Sequence, residues 1–401
     1  MPLIEQVSDS RQLHMVQASL ASICLASLIS LPLGCSSVGT RATGDAERPA
    51  QAAVTSDEAR PQETRDPVVF DDMRSGRDDA SPRPAIDPET KKRFMADYEL
   101  AGSETRGVFE KYLPILGANG ILDILEDVFP KCHGQSHDLG KALFASTQDI
   151  GEALRTCTTR CTSGCMHGIL MEAFGSSDID TLKGSMIEFC QSGAMSEIHK
   201  IGNCAHGMGH AFMAASSGDV DVALEACKGF SDRALPHYCA TGVFMELLDT
   251  GPRAREFWRD DPERGLHDPC DKHTQFPAAC YRYRAPQMRH FLKGDWERLM
   301  SECLALSGPV RLGCFHGAGH AHTSAVYEDP AFLARLCGQG DENDQAMCVE
   351  GAIEKLADYD EEIALEACSS LSGATAQVCK EAAEHKMYRL NKPTLDLYWG
   401  D

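Results

Sequence analysis

The sequence is poor in aromatic residues and in positive charge. Phe, Trp and Tyr make up 7% of its 401 residues, and 38 Lys and Arg face 60 Asp and Glu, which gives a net charge of −22. A protein that binds nucleic acid needs a basic face to displace the counterions of the phosphates. We therefore exclude nucleic acid as a partner. A core built from Ala, Leu and Met instead of large rings favours packed helices.

Motifs for common cofactors and catalytic nucleophiles are also missing from the sequence. It has no Cys-x-x-Cys-His for attached haem, no His-Glu-x-x-His helix, no Gly-x-Ser-x-Gly turn and no phosphate-binding loop. Gly317-Ala-Gly319 opens a predicted helix without a preceding strand, so it is a poor nucleotide motif. We expect neither a nucleotide cofactor nor c-type haem.

One short run departs from the acidic composition. Tyr281-Arg-Tyr-Arg284 is followed closely by Arg289 and His290. On an acidic chain we interpret this run as a solvated helix face. The alternative is a contact with an anion or a partner protein, because Tyr and Arg are enriched at binding surfaces.

The N-terminal segment has the pattern of an export signal. The run from Ala18 to Leu33 is apolar but, at about 16 residues, shorter than the roughly 20 that span a bilayer. It ends in Leu-Pro-Leu-Gly-Cys35, which resembles a bacterial lipobox in which Cys35 is acylated. Pro32 and the single basic residue ahead of the run, Arg11, depart from that pattern. We expect an anchor at Cys35, with cleavage and secretion as the alternative.

We assign residues 1–35 to this signal peptide. Composition divides the rest of the chain. Residues 36–88 are rich in Asp, Glu, Arg, Ala, Pro and Ser and lack aliphatic periodicity. Such a segment buries too little apolar surface to fold, so we interpret it as a disordered tether. We assign residues 89–129 to an N-terminal helical cap, residues 130–391 to a repeat domain and residues 392–401 to a C-terminal tail.

One pattern recurs from residue 130 onward. A helix of the form Asp-x-x-x-Ala-Leu-x-x-Cys is followed by a loop and then by Cys-x-x-Gly, which opens a second helix. Successive second cysteines lie 31 to 41 residues apart, and the spacing is 34 twice. A period near 34 with two amphipathic helices per unit is typical of an α-solenoid. The predicted fold is therefore all-α, a strongly curved or ring-like stack of αα-hairpins.

The 18 cysteines are too many for a reducing cytoplasm and indicate an oxidising compartment. Six pairs, 10 to 14 residues apart, each close a loop between the two helices of one unit. The predicted disulfides are Cys190–Cys204, Cys227–Cys239, Cys270–Cys280, Cys303–Cys314, Cys337–Cys348 and Cys368–Cys379. In the chain-entropy model each one stabilises the fold by about 2.5 to 3 kcal/mol.

Four cysteines of the folded part remain. The repeat places Cys157 opposite Cys165, which leaves Cys132 for Cys161. This pairing is one of the three connectivities that four cysteines allow. A thiolate metal site is the alternative, because Cys157, Cys161 and Cys165 lie at helical spacing.

The repeat resembles a known family. Asp221-Val-Ala-Leu-Glu-Ala-Cys227 with Cys239-Ala-Thr-Gly242, and Ile363-Ala-Leu-Glu-Ala-Cys368 with Cys379, are similar to secreted cysteine-rich tetratricopeptide-like repeat proteins. The resemblance covers about residues 115 to 390 and is one of pattern. The loops between paired cysteines are longer here, and most Tyr-rich core positions of the family are missing. The resemblance implies a disulfide-linked superhelix with a binding role.

Histidines recur in register with the repeat. Three units carry His-x-x-x-His, and a fourth unit carries a single histidine. Counted from the second cysteine of each unit, these histidines lie at matching positions, except that those of the first unit are shifted by one residue. These residues are His133, His137, His167, His206, His210, His316 and His320. Residues i and i+4 share one helical face, which is the geometry that lets two imidazoles bind one metal ion.

The histidines have two interpretations. In the functional one, stacked second helices bring the first five into one groove, and the last two join it if the solenoid closes toward a ring. Imidazoles, with nearby methionines, suit copper or zinc. In the structural one, the histidines lie at the edge of the apolar stripe and only cap or pack. Glycines next to the histidines or at the same register are expected to allow close helix approach; they are Gly134, Gly168, Gly207, Gly242, Gly317 and Gly351.

Together these features favour an exported, membrane-anchored helical-repeat module that binds copper or zinc, in the cell envelope, at the cell surface or secreted. Membrane contact is expected only through the lipid. A protein-interaction scaffold with structural histidines is the first alternative. The second is a metal-dependent hydrolase or oxidase with Glu172 or Glu246 as base. The same two carboxylates, with Glu350, are candidates to orient imidazoles or to bind the metal.

Overall fold

The computed structural model describes part of the chain. The described residues are 86–129, 132–157, 159–191, 198–251, 253–259, 261, 264–385, 387–390 and 392–398. The predicted signal peptide, Cys35 and all of the predicted tether except residues 86–88 lie outside this set. The acylation and the tether therefore stay predictions.

The described residues form helices and no strand, which confirms the predicted all-α fold class. The helices are α1 (Pro88–Ala101), α2 (Arg106–Val128), α3 (His133–Thr147), α4 (Ile150–Thr156), α5 (Gly164–Phe174), α6 (Ile179–Gln191), α7 (Ile198–Ala215), α8 (Val220–Cys227), α9 (Ala234–Met245), α10 (Ala254–Phe257), α11 (Pro277–Phe291), α12 (Trp296–Leu304), α13 (Gly308–Ala321), α14 (Thr323–Glu328), α15 (Phe332–Leu336), α16 (Glu342–Tyr359), α17 (Glu361–Cys368) and α18 (Gly373–His385). Short 3-10 turns lie at Cys161–Ser163 and Pro393–Tyr398, and a π-helical turn lies at Glu246–Thr250. Within the described residues, no helix combines the length and apolar character that crossing a bilayer requires.

The repeat motif explains where the first helix of a unit begins and ends. In α8 the Asp219 carboxylate accepts hydrogen bonds from the first-turn backbone N–H groups, which otherwise lack a partner. Ala223 and Leu224 are buried one turn later, and Cys227 ends the helix inside the core. The same Asp cap opens α4, α12 and α17. The motif is thus a cap, an apolar face and a covalent link, in that order.

Eight disulfides join the described cysteines. They are Cys132–Cys161, Cys157–Cys165, Cys190–Cys204, Cys227–Cys239, Cys270–Cys280, Cys303–Cys314, Cys337–Cys348 and Cys368–Cys379. These are the pairs that the spacing predicts. The alternative thiolate metal site does not form, because all of its cysteines are bonded in pairs.

The second helices of the units stack in chain order. Helix α3 packs on α5, α5 on α7, α7 on α9, α9 on α11, α11 on α13, α13 on α16 and α16 on α18. Adjacent helices touch backbone to backbone at glycines: a Cβ on Gly168 would lie 1.9 Å from the His137 carbonyl oxygen, and one on Gly242 would lie 1.9 Å from that of His206. The prediction of close approach is wrong at Gly134, where a Cβ would meet no atom nearer than 3.9 Å.

The N-terminal helices form an aromatic layer at one end of the stack. Phe94 of α1 packs edge-on against Tyr112 of α2, with ring centroids 5.3 Å apart, and Phe109 lies beside both. Helix α2 continues this apolar cluster onto α3. The two helices therefore cover the apolar face that the first repeat unit exposes.

The C-terminal segment, residues 387–390 and 392–398, packs against several second helices. A Cβ on Gly202 of α7 would lie 1.9 Å from the Tyr388 carbonyl oxygen, so this helix and the segment are in direct contact. Tyr238 of α9 donates a hydrogen bond to the Arg389 carbonyl oxygen. Lys392 binds Glu354 of α16. Since helices far apart in the chain contact one short segment, the stack curves around it.

Candidate metal centre

Five of the seven predicted histidines lie together in the interior. Helices α3, α5 and α7 contribute them, and we name the set of His133, His137, His167, His206 and His210 the histidine cluster. Their side chains are between 0% and 8% exposed. The centroids of neighbouring rings are 4.7 to 5.7 Å apart. The helix stack therefore concentrates imidazoles from three repeat units in one place.

Nitrogen atoms of the cluster face one another at short range. The Nε2 atoms of His133 and His137 are 3.1 Å apart, and those of His206 and His210 are 3.3 Å apart. Four rings each have one nitrogen that lies within 4.8 Å of the corresponding nitrogens of the other three. These rings are His133, His167, His206 and His210. The one-turn spacing within α3 and within α7 produces both close pairs.

Glu246 orients His210 from outside the cluster. The Glu246 carboxylate accepts a hydrogen bond from His210 Nδ1 at 2.8 Å, and the Thr250 hydroxyl donates to the same oxygen at 3.2 Å. Burial is the largest single effect on Glu246 and opposes its ionisation, but the hydrogen bonds from His210 and Thr250 and the nearby charge of Lys141 together lower the pKa of the carboxyl. The carboxylate is thus ionised at neutral pH, and it fixes the proton of His210 on Nδ1.

Thr241 orients His206 in the same way. Its hydroxyl donates to the Tyr238 carbonyl oxygen at 2.5 Å, so its oxygen is left as the acceptor for His206 Nδ1 at 2.8 Å. A hydroxyl has one proton, and that proton is already used. The remaining hydrogen bond therefore requires the proton of His206 to be on Nδ1.

Backbone carbonyls orient His133. Its Nδ1 donates to the carbonyl oxygens of Cys161 and Thr162, at 3.1 and 3.2 Å. These carbonyls belong to a turn in which Cys161, Thr162 and Ser163 have φ values of 50°, 55° and 61°, in the left-handed region. Three such residues in succession are strained, and strain of this kind accumulates where a site demands a particular geometry.

These hydrogen bonds leave the Nε2 lone pair of one imidazole directed at the Nε2 lone pair of another. His206 and His210 both carry a proton on Nδ1, so in the neutral rings the Nε2 atoms that face each other at 3.3 Å are both unprotonated. Two lone pairs at this distance repel unless a cation lies between them. In a tetrahedral site with metal–nitrogen bonds of 2.0–2.1 Å, ligand nitrogens are about 3.3 Å apart. The separation therefore fits two ligands of one metal ion.

His167 provides a second observation of the same kind. Its ring is fully buried, and neither ring nitrogen has a hydrogen-bond partner among the described residues. The side chain and backbone of Asn203 favour the protonated ring and oppose the larger effect of burial on its pKa, but neither forms a hydrogen bond of good geometry with it, and the Asn203 amide nitrogen donates to Ser163 Oγ at 2.7 Å. Buried polar groups in folded proteins rarely lack a partner, and an absent ion is one reason for such a group.

Burial keeps four imidazoles of the cluster neutral. It lowers the pKa of His133 to about 3 and the pKa of His137, His167 and His206 well below the usual 6.5. The neighbouring histidines lower these pKa values further, because a second positive charge in the cluster would repel the first. Neutral imidazole is the form that binds a metal ion.

His316 lies in a separate network of ion pairs. Its Nε2 is 3.1 Å from Glu354, and Glu354 also binds Arg282 at 2.7 Å and Lys392. Lys392 is in addition 3.4 Å from Glu350. Two carboxylates thus face two cations, so the network is balanced without a metal ion. The structure does not bring His316 into the histidine cluster.

His320 and Glu172 also have other partners. The ammonium of Lys355 donates to His320 Nε2 at 2.7 Å and so occupies the lone pair that a metal ion would need. The Glu172 carboxylate binds the Arg106 guanidinium at 2.9 Å. Of the two predicted general bases, the structure places only Glu246 against the cluster, and there it holds an imidazole.

The predicted solvated face at Tyr281–Arg284 is wrong. Arg282 and Arg284 are each 1% exposed. Arg282 binds Glu354, and Arg284 donates to Gln287 and to the carbonyl oxygens of the loop before α11. Burying two guanidinium groups requires such partners. The partner of Arg282 lies in another unit, and the carbonyl partners of Arg284 have no trace in the sequence.

The repeat register unites the cluster with the ion-pair network. The second residue after the second cysteine is buried in successive units, and it is His167, His206, Thr241, Arg282, His316 or Glu350. Every one of these side chains faces inward along the stack. The sequence pattern therefore identifies these buried positions, which we name the inner wall. Imidazoles of the histidine cluster occupy its N-terminal half, and the ion-pair network occupies its C-terminal half.

We compared the chain with protein-family models, with curated proteins and with solved structures, and none of the three comparisons finds a match.

Proposed function

We propose that this chain is an exported metal-binding module whose histidine cluster holds one transition-metal ion. The observation that carries the proposal is the pair of opposed Nε2 atoms of His206 and His210, each with its proton held on Nδ1 by an acceptor. Acceptors of this kind stand behind the histidine ligands of most metal sites. His133 and His167 complete a set of four nitrogen donors.

The donor set favours copper(II) or zinc. Imidazole nitrogen suits these ions, whereas calcium and magnesium require oxygen ligands and copper(I) prefers sulfur. Met208 and Met213 are buried in the apolar core, where their thioethers pack with aliphatic and aromatic side chains. A four-nitrogen site leaves zinc with the closed coordination that is typical of structural sites.

Closed coordination also favours binding over catalysis. A catalytic metal keeps one position open for water or substrate, and a nearby base must be free to move a proton. Glu246 is engaged with His210 and Thr250, and Glu172 is engaged with Arg106. We therefore favour the binding module over the hydrolase or oxidase alternative.

Metal analysis tests the proposal. The untagged protein, purified with its disulfides intact, should contain about one equivalent of zinc or copper per chain, as one four-ligand site requires. The double variant His206→Ala with His210→Ala should lose this metal. The matched double variant His273→Ala with His290→Ala changes two histidines outside the cluster and should keep it. Wild-type protein that takes up no metal would favour the interaction scaffold with structural histidines.

We propose in addition that the chain is anchored to a bacterial membrane through Cys35. Eight disulfides among the described residues support an oxidising compartment. The helical cysteine-rich architecture also supports the likeness to secreted cysteine-rich tetratricopeptide-like proteins. Mass spectrometry of the mature N-terminus decides between an acylated Cys35 and a soluble secreted form, and Cys35→Ala should release an anchored protein from the membrane.

A further inference from the structure

The histidine cluster is not equally buried throughout. His167, His206 and His210 are fully buried. His137 is 4% exposed and His133 is 8% exposed. The side chain of Glu246, which packs on the same side as His137, is 11% exposed. These three groups therefore form the edge of the cluster that faces solvent. His133 at this edge is also one of the four rings that share the inner position, and the carboxylate of Glu246 is the most exposed donor.

This edge contains a second donor set. His137, His210 and Glu246 each offer one ligand atom within 4.8 Å of the others. His137 is absent from the four rings that share the inner position, although its Nε2 is only 3.1 Å from that of His133. His210 is the residue common to the inner and outer sets. Five imidazoles are thus one more than a four-coordinate ion uses.

Donor type also distinguishes the two sets. The inner set consists of four imidazoles, whereas the outer set includes the Glu246 carboxylate. A carboxylate attracts a divalent cation over a longer distance than a neutral ring does, because it can carry a full negative charge, and its oxygen is a hard ligand. The outer set is therefore suited to capture, and the inner set to retention.

We propose that His137 and Glu246 form an outer transfer position through which a divalent transition-metal ion reaches the four inner histidines. The inference rests on the proposed function. The ion first binds a nitrogen of His137 and the Oε1 atom of Glu246, since His210 and Thr250 both bond to Oε2 of this carboxylate. It then passes to His210, the residue that the two donor sets share, and the other inner ligands replace the two outer ones. Each neutral ring binds the ion through the nitrogen that carries no proton, so no proton is released, and Glu246 Oε2 keeps the hydrogen bond from His210 Nδ1 throughout.

The kinetics of Co²⁺ uptake by the metal-free, oxidised protein test this proposal. The probe is Co²⁺ alone, which gives strong visible absorption when four nitrogens surround it tetrahedrally. His137→Gln should reach the wild-type spectrum and stoichiometry at equilibrium. Its uptake and its release to a chelator should be slower by about tenfold or more, the size of effect that loss of a supporting group has on metal sites. His167→Gln should instead lose the tetrahedral spectrum, and His290→Gln, at an exposed histidine, should behave like wild type.

Each result decides the proposal. Uptake by His137→Gln at the wild-type rate overturns the transfer position and leaves the proposed function intact. Loss of the tetrahedral spectrum in His137→Gln also overturns it, because His137 is then an ordinary ligand. Should His137→Gln fail to fold, His137→Glu offers a replacement oxygen donor at the same edge, and fast uptake is expected to persist in it. A wild-type protein that binds no Co²⁺ removes the proposed function and this inference together.

Discussion

At the residue scale, the acceptors behind the imidazoles decide what the histidine cluster can do. An imidazole without a fixed proton can present either nitrogen, whereas His133, His206 and His210 each have Nδ1 held by a carbonyl, a hydroxyl or a carboxylate. Their Nε2 atoms are therefore unprotonated before any ion arrives. Such preorganisation favours binding, since no tautomer change accompanies it.

Glu246→Gln should weaken metal binding without removing the site. The amide oxygen still accepts from His210 Nδ1, but the negative charge that raises the basicity of the imidazole is lost. We expect the dissociation constant to rise by about 10- to 100-fold. Competition with a chromophoric chelator measures it, and Glu366→Gln, at an exposed carboxylate, is the control. Equal affinities in the two variants would show that Glu246 plays no part in the site.

The buried histidines also make the stability of the metal-free protein depend on pH. Burial lowers the pKa of His133 and of His237 to about 3, whereas in the unfolded chain the value is near 6.5. Between these values the unfolded chain binds more protons, so the free energy of unfolding rises with pH.

We therefore expect stability to be complete above about pH 6.5 and to fall as the pH drops toward 3. Each such histidine contributes a slope of up to about 1.4 kcal/mol per pH unit. Urea unfolding of the metal-free protein at a series of pH values measures the slope. A free energy of unfolding that stays constant from pH 7 to pH 4 would contradict neutral burial of these rings.

The ligand residues could be predicted from the sequence, but their acceptors only in part. Pairs such as His206 and His210 are local, because helical spacing alone puts them on one face. Glu246 was a candidate to orient an imidazole and does so. The carbonyl acceptors at Cys161 and Thr162 could not be predicted from the sequence, because every residue has a backbone carbonyl. Thr241 had one usable signal, because it occupies the repeat position at which other units carry histidine.

At the element scale, close contact between second helices brings ligands from different units together. Rings on α3, α5 and α7 approach to centroid distances of 4.9 to 5.7 Å because α3 and α5 touch along their backbones and Gly207 of α7 lies directly against the His167 ring. Glycine at the crossing points provides the room. A side chain there would separate the helices and, with them, the ligands.

Gly168→Ala should lower both stability and metal affinity. Its Cβ would lie 1.9 Å from the His137 carbonyl oxygen, so α5 must move away from α3. We expect a loss of about 1 to 3 kcal/mol in the free energy of unfolding, as for other overpacked sites. Gly184→Ala is a matched control inside α6, where a Cβ meets no atom within 4 Å.

That control should raise stability by about 0.5 to 1 kcal/mol, because alanine restricts the unfolded chain more than glycine does. Urea unfolding of both variants gives the comparison. Gly168→Ala as stable as Gly184→Ala would mean that the close packing of α3 and α5 is not needed.

Most helices follow from sequence, whereas the region between α9 and α11 does not. Regular units combine an Asp cap, buried Ala and Leu and a terminal Cys within one helix. The exception coincides with the longest cysteine spacing, 41 residues. There the chain contains a π-helical turn and the short helix α10 instead of a full first helix. Extra residues relax the geometric constraint that the repeat imposes, so the pattern no longer determines the local structure.

At the scale of the whole molecule, the C-terminal segment connects the two halves of the inner wall. The Tyr388 ring packs on His206, with centroids 4.6 Å apart, and the Tyr398 hydroxyl is 2.9 Å from His316 Nδ1. One segment thus contacts a ligand of the cluster and a residue of the ion-pair network. Its position was not predictable, because Lys392 and Thr394 are typical of a solvated tail and their partners belong to another unit.

Lys392→Met should lower the free energy of unfolding, because it leaves two buried carboxylates with one cation fewer. Removing one member of a buried ion pair typically costs about 3 to 5 kcal/mol. Lys380→Met, at an exposed lysine of α18, is the control and should change stability little. Urea unfolding distinguishes them. Equal stability of the two variants would show that the segment is not held by this network.

X-ray absorption spectroscopy of the zinc-loaded protein tests the central claim most directly. We predict a first shell of four nitrogen neighbours at about 2.0–2.1 Å, with the outer-shell pattern of imidazole rings. The His206→Ala, His210→Ala double variant should no longer give this shell. A sulfur neighbour at about 2.3 Å, or a shell of oxygens without imidazole, would contradict the account because the ion would then lie outside the histidine cluster.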